Sequence, residues 1–135
     1  MGLFLEDFSL GQRFGSPALP FDAAVGGGFE FEFGAGLGVM AVASLTMRLL
    51  VESAFAPEGG ILGAGVEALE WPEAAVAGDV LRIESEVLEV RRSQRRPERG
   101  LLRVRTTTLA GDGRVVQAMV STVVVVARGE GSRTL

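Results

Sequence analysis

Apolar and polar positions alternate in the first and last parts of this chain and follow a helical spacing between them. Residues 39–55 run VMAVASLTMRLLVESAF, where Ser44, Arg48 and Glu52 recur every four positions and the rest is apolar or small. That spacing draws one narrow polar stripe along a helix, so the segment predicts a helix covered on most of its sides. Ala, Leu and Met favour the helical state, and Arg48 and Glu52 can pair along the stripe. Pro57 and the Gly59-Gly60 pair end it. Ahead of the helix, Phe29, Phe31 and Phe33 alternate with Glu30 and Glu32 between glycine clusters. Period two predicts a half-buried strand there, with tight turns at both ends. Further upstream, GQRFGSPALPF (11–21) reads as a short extended segment that Pro17 and Pro20 confine to an edge or turn.

After the helix the pattern is β throughout. GILGAGVEALEW (60–71) mixes apolar residues with glycine and ends at Pro72. A Gly78-Asp79 turn opens GDVLRIESEVLEVRR, where Leu81, Ile83 and Val87 share one face and Arg82, Glu84 and Glu86 the other. The phase then slips so that Leu88 and Val90 face in, which predicts a bulge. GLLRVRTTTLAG follows with Arg103 and Arg105 outward, and Asp112-Gly113 is a strong hairpin signal. RVVQAMVSTVVVVAR is apolar on both faces and predicts a central strand covered on both sides. Sequential hairpins with a single helix predict an α+β architecture, an antiparallel β-sheet wrapped around one long central helix. It fills a single domain over 1–128, followed by a polar tail, 129–135.

Composition narrows the chemistry. The 135 residues include no cysteine, no histidine and no tyrosine. Disulfides, thiolate catalysis and Cys-based metal sites are excluded, and the commonest general base and metal ligand is missing. Hydrophobic residues make up 47% of the chain, enough for a core without staples. Thirteen basic and 17 acidic residues leave a net charge of -4, which argues against nucleic acid as a partner. No apolar run reaches membrane-spanning length, since Arg48 and Glu52 break the longest one. The N-terminus carries acids where a signal peptide carries lysine or arginine. Glu6 also stands where a myristoylation signal needs Ser or Thr. The expectation is a cytoplasmic protein without a membrane partner.

Three stretches have a chemical alternative to a structural role. Gly34, Gly36 and Gly38 give G-x-G-x-G before the helix, not the G-x-G-x-x-G of a dinucleotide fingerprint, and no further βα units follow. They serve either close packing at the helix entry or amides, near Gly36 and Gly38, that polarise a carbonyl or bind an anion. The run RRSQRRPERG, with Arg91, Arg92, Arg95, Arg96 and Arg99, is either a solvated hairpin loop or a contact for a phosphorylated ligand. Near Asp22, Glu30 and Glu32 share a strand face that is either solvated or, if one is buried, offers a carboxylate pair for acid–base chemistry.

Several stretches together resemble the MaoC-like dehydratase family of hotdog-fold proteins. LEDFSLGQRFGSP is similar to that family's acidic-aromatic opening. ASLTMRLLVESAF resembles the latter part of its central helix. Residues 60–116 resemble its C-terminal half: an aromatic-Pro strand end, a Gly-Asp turn, a long strand ending R-x-S, a basic loop and a G-x-V return. The similarity spans most of the chain except roughly residues 23–38.

The resemblance implies the hotdog fold and reversible hydration of enoyl thioesters, commonly carried by coenzyme A as substrate and not as a cofactor. In that family an aspartate and a histidine in a D-x-N-P-x-H-like phrase activate water and donate a proton. Amides at the start of the central helix polarise the thioester carbonyl. The phrase belongs between Asp22 and Leu37, where GGGFEFEFGAG stands instead, and GLGVMA replaces the expected His-Gly pair. Asp22 matches the acidic residue opening the family's preceding helix, not its catalytic aspartate. The expectation is therefore no catalytic dyad, no metal and no cofactor. An acyl-CoA ligand would be held by Gly36, Gly38, Arg92, Arg95 and Arg96. Two other readings stand beside it: a structural or engineered hotdog scaffold with its active segment replaced, and a thioesterase using Glu30, Glu32 or Glu52. A homodimer or higher homo-oligomer is expected, because a single-layer sheet leaves an edge and a face to cover.

Overall fold

The computed structural model describes residues 2–21, 38–76 and 78–128. The expected 29–33 strand, Asp22, Gly36 and the 129–135 tail lie outside the described residues. The elements in chain order are β1 (Arg13–Gly15), β2 (Leu19–Pro20), α1 (Gly38–Glu52), β3 (Leu62–Glu70), β4 (Val80–Arg92), β5 (Arg99–Leu109) and β6 (Val115–Val126). A single 3₁₀ turn, Leu5–Asp7, precedes them. The strands pair antiparallel in the order β1-β4-β5-β6-β3, with β2 also on β4.

Helix α1 buries Ala41, Val42, Leu45, Thr46, Leu49 and Leu50, two positions per turn, against the sheet. Inward residues of the strands, such as Leu81, Ile83, Val87, Leu102, Val104 and Val123, complete the same core. Phe8, Phe14 and Phe55 close one end, with ring centroids 5.5–5.9 Å apart. The polar stripe is where the sequence places it, and the Arg48 Nε–Glu52 Oε2 distance is 3.1 Å.

The expected coverage of the helix is corrected. Met40, Met47 and Val51 stand 59%, 47% and 67% exposed, because one sheet layer reaches only one side of a helix. Strand β6 is central as expected, but its outer residues Val120 and Val124 are half-buried, not covered, in the single chain. The β4 register shifts between Val87 and Glu89, which is the expected bulge. Both Leu88 and Val90 are half-buried there, and of the two Val90 packs against the core. The Asp112-Gly113 hairpin also forms, with Gly113 at φ 93°, a conformation that glycine adopts at no steric cost.

Polar side chains inside the sandwich pair with one another. Thr46 on α1 meets Thr108 on β5 at 2.6 Å, and both are fully buried. Ser85 on β4 meets Thr106 on β5 at 3.2 Å. Trp71 donates its Nε1–H to the buried Gln117 Oε1 at 2.9 Å.

Candidate functional site

Gly38 is the first residue of α1, so its amide belongs to the unsatisfied N-terminal turn of the helix. The expected arginines, Arg92, Arg95 and Arg96, all belong to the β4–β5 hairpin. Cross-strand pairing ends at Arg92 opposite Gly100. Beyond it, Ser93 N–H donates to Arg99 O, Arg99 N–H to Arg96 O, and Arg96 N–H to Ser93 Oγ, each at 3.0 Å. These bonds fix the tip. Gly100 is required where it sits, since a Cβ there would lie 2.5 Å from Arg91 O and 2.6 Å from Leu5 Cδ2.

A cavity of about 590 Å³ opens on the outer side of this hairpin. Arg91, Arg92, Arg95 and Arg99 line it, together with Leu101 and Val124. Arg96, expected at the site, is not among its lining residues. Arg99, outside the binding set that the sequence predicts, is. The signal was present: Arg105 and Arg103 face outward, and the same alternation carries back through Leu101 to Arg99.

The four cavity arginines differ in what holds them. Arg92 pairs through Nη2 with Glu6 and donates Nη1–H to Pro97 O at 2.8 Å. Arg91 stands 4.0 Å from Glu89. Arg95 and Arg99 have no carboxylate partner within 4.0 Å among the described residues.

The 3₁₀ turn is strapped beside the hairpin. Arg128 forks onto Asp7 with two bonds of 2.8 Å, its guanidinium lies 4.7 Å from the centre of the Phe4 ring, and its N–H donates to Glu6 Oε1. The Arg128 fork, aided by the Phe4 N–H, holds the Asp7 carboxyl below its ordinary value. Partial desolvation pushes Glu6 up, but the Arg128 N–H and the Arg92 guanidinium outweigh it and the net direction is down. At the opposite end of the sheet, Arg114 reaches Asp79 at 2.6 Å and Asp112 at 2.9 Å. There the Val76 N–H, and then Arg114, lower the Asp79 carboxyl.

No group of three or more carboxylates suited to a metal occurs among the described residues. Among the described residues, no helix is long and apolar enough to cross a membrane. Of the three carboxylates considered for thioester hydrolysis, Glu30 and Glu32 lie outside the described residues. Glu52 is in an exposed surface pair with Arg48.

Among the described residues, one helix lies across an antiparallel sheet in this strand order, the arrangement of a hotdog protein. The chain is 36% identical to the MaoC-like dehydratase from Rhodospirillum rubrum, with a TM-score of 0.85, covering 95% of this chain and 99% of that one. It belongs to the MaoC-like dehydratase family. The same fold occurs in the R-hydratase from Pseudomonas aeruginosa, at 16% identity and a TM-score of 0.68 over 94% of this chain and 88% of that one. It occurs again in the (R)-hydratase from A. caviae involved in PHA biosynthesis, at 18% identity and a TM-score of 0.64 over 90% and 98%. No protein-family model matches the chain, and no curated protein does.

Proposed function

We propose that this chain is a homodimeric MaoC-like hotdog protein that binds acyl thioesters without hydrating them. One observation carries the loss of hydration: the whole chain contains no histidine. Acid–base catalysis by a positioned pair contributes about 10²–10⁴-fold. A second copy of this chain brings no histidine to a shared site either. Binding has separate support. The amide at Gly38 opens a helix, where the dipole favours an electron-rich oxygen.

Two measurements test the reading. The purified protein is expected to show no turnover of crotonyl-CoA above buffer; turnover that disappears in Asp22→Ala would overturn this. Acyl-CoA is expected to raise the melting temperature. Ligand at about tenfold over Kd stabilises by about 1.4 kcal/mol, worth a few degrees for a domain of this size. No shift with any acyl-CoA would favour the scaffold reading instead. Release of free thiol from acyl-CoA, abolished by a Glu→Gln change at Glu30, Glu32 or Glu52, would establish the thioesterase.

A further inference from the structure

We propose that the β4–β5 hairpin cavity binds a nucleoside phosphate, with Arg95 and Arg99 holding the phosphate and Leu101 and Val124 carrying the planar base. The charge distribution is the first reason. The chain is acidic overall, with 13 basic and 17 acidic residues, yet Arg91, Arg92, Arg95, Arg96 and Arg99 crowd into nine positions beside the lone acid Glu98. Like charges this close repel, and neighbouring acids would relieve that at little cost. Glu6 does so for Arg92 and Glu89 stands 4.0 Å from Arg91, but among the described residues no acidic residue lines the cavity.

The partnering is the second reason. Arg95 and Arg99 face the cavity with no carboxylate within 4.0 Å among the described residues. The hairpin tip that carries them is held by the Ser93–Arg99 and Arg99–Arg96 backbone hydrogen bonds, so two exposed guanidiniums stand about one space. A planar, always charged guanidinium suits the oxygens of a phosphate and also stacks on a flat ring.

The floor is the third reason. Leu101 and Val124 are half-buried apolar side chains from adjacent central strands. A bare phosphate has no use for them, whereas a purine or pyrimidine covers them. About 590 Å³ lies within the roughly 300–1,000 Å³ typical of small-ligand sites.

The site does not use the Gly38 amide that supports the acyl-thioester reading, although Arg92 and Arg95 also belong to the set expected to hold an acyl-CoA ligand. A free nucleotide and the nucleotide end of a larger carrier present the same chemistry here. Isothermal titration of the full chain with ADP, adenosine, inorganic phosphate and coenzyme A separates the cases. ADP is expected to bind at least tenfold more tightly than adenosine and than inorganic phosphate. Arg95→Gln/Arg99→Gln is expected to lose at least tenfold in ADP affinity with an unchanged circular dichroism spectrum. Arg48→Gln, on α1, should retain full affinity. Coenzyme A binding tenfold tighter than ADP, and lost in the same double variant, would assign the site to a carrier's nucleotide end; equal affinity would assign it to free nucleotide. The proposal is overturned if ADP gives no heat, if adenosine or inorganic phosphate binds as well as ADP, or if the double variant binds unchanged. Loss of acyl-CoA binding elsewhere would leave the ADP result standing.

Discussion

Thr46 and Thr108 show how much one residue's chemistry depends on its partner. Each hydroxyl is fully buried and each has the other at 2.6 Å. Thr46→Val removes one and leaves Thr108 unsatisfied in the core, a cost of about 1–3 kcal/mol. Thr46→Val/Thr108→Val removes both and should recover most of that loss, so urea denaturation of the two variants is expected to rank the double above the single. The surface acids act through pH. Asp7 and Asp79 have depressed folded pKa values, through Arg128 in the first case and through the Val76 N–H and Arg114 in the second. Their contribution is therefore fully present above the unfolded aspartate value of about 3.9 and is lost as pH falls through the lower folded values. Melting temperature should drop on acidification below about pH 5, and Asp7→Asn/Asp79→Asn should have a lower plateau and a flatter acid limb. An unchanged acid limb in that variant would remove these two pairs from the account.

Among the elements, Gly100 and Gly111 make a matched contrast. An alanine at 100 drives its Cβ against Arg91 O, a ladder atom that cannot withdraw without parting β4 from β5, and against Leu5 in the 3₁₀ turn. An alanine at 111 meets nothing nearer than Val80 O at 3.9 Å, and its φ is not positive. Gly100→Ala is expected to cost about 1–3 kcal/mol. Gly111→Ala is expected to be neutral, or to stabilise by about 0.4–1 kcal/mol. Comparable midpoints in guanidinium would contradict the close approach at Gly100. Much of this level was legible in the sequence. The period-two faces of β4, the slip at Val87, the Asp-Gly turn and the stripe through Ser44, Arg48 and Glu52 each have a local cause that one chain segment carries by itself. What was not legible is coverage. Periodicity reports which side chains are apolar, whereas Met40, Met47 and Val51 are exposed because of where the sheet stops. The place of Arg99 is not legible for the same reason: it depends on the cavity formed with Arg95, a product of pairing across the hairpin. The stretch richest in candidate chemistry, 22–37, lies outside the described residues, so Asp22, Glu30, Glu32 and Gly36 keep only their sequence-based expectations.

At the scale of the whole molecule, β3 and α1 each carry several exposed apolar side chains. All nine residues of β3 are exposed, and β6 is its hydrogen-bonded neighbour while the other edge carries no strand among the described residues. An unpaired edge of that length invites another strand. Leu62, Val66 and Leu69 on β3 are 60%, 57% and 39% exposed, and the helix adds Met40, Met47 and Val51. A single chain gains nothing from leaving such side chains in water, whereas a two-fold partner could bury both sets and pair β3 with its own copy. The wild-type protein is therefore expected to sediment at twice the mass of the chain. Val66→Lys places a charge at the middle of that edge and should weaken the dimer by at least about tenfold, since a desolvated unpaired charge costs well over 1.4 kcal/mol. Arg105→Gln, on the charge-laced outer face away from β3, should leave the dimer intact and so control for general effects of surface charge. Sedimentation of the wild type as a monomer at micromolar concentration would remove the homodimer from the proposal. A dimer indifferent to Val66→Lys would instead move the interface away from β3, and the exposed helix face would then be the surface to mutate next.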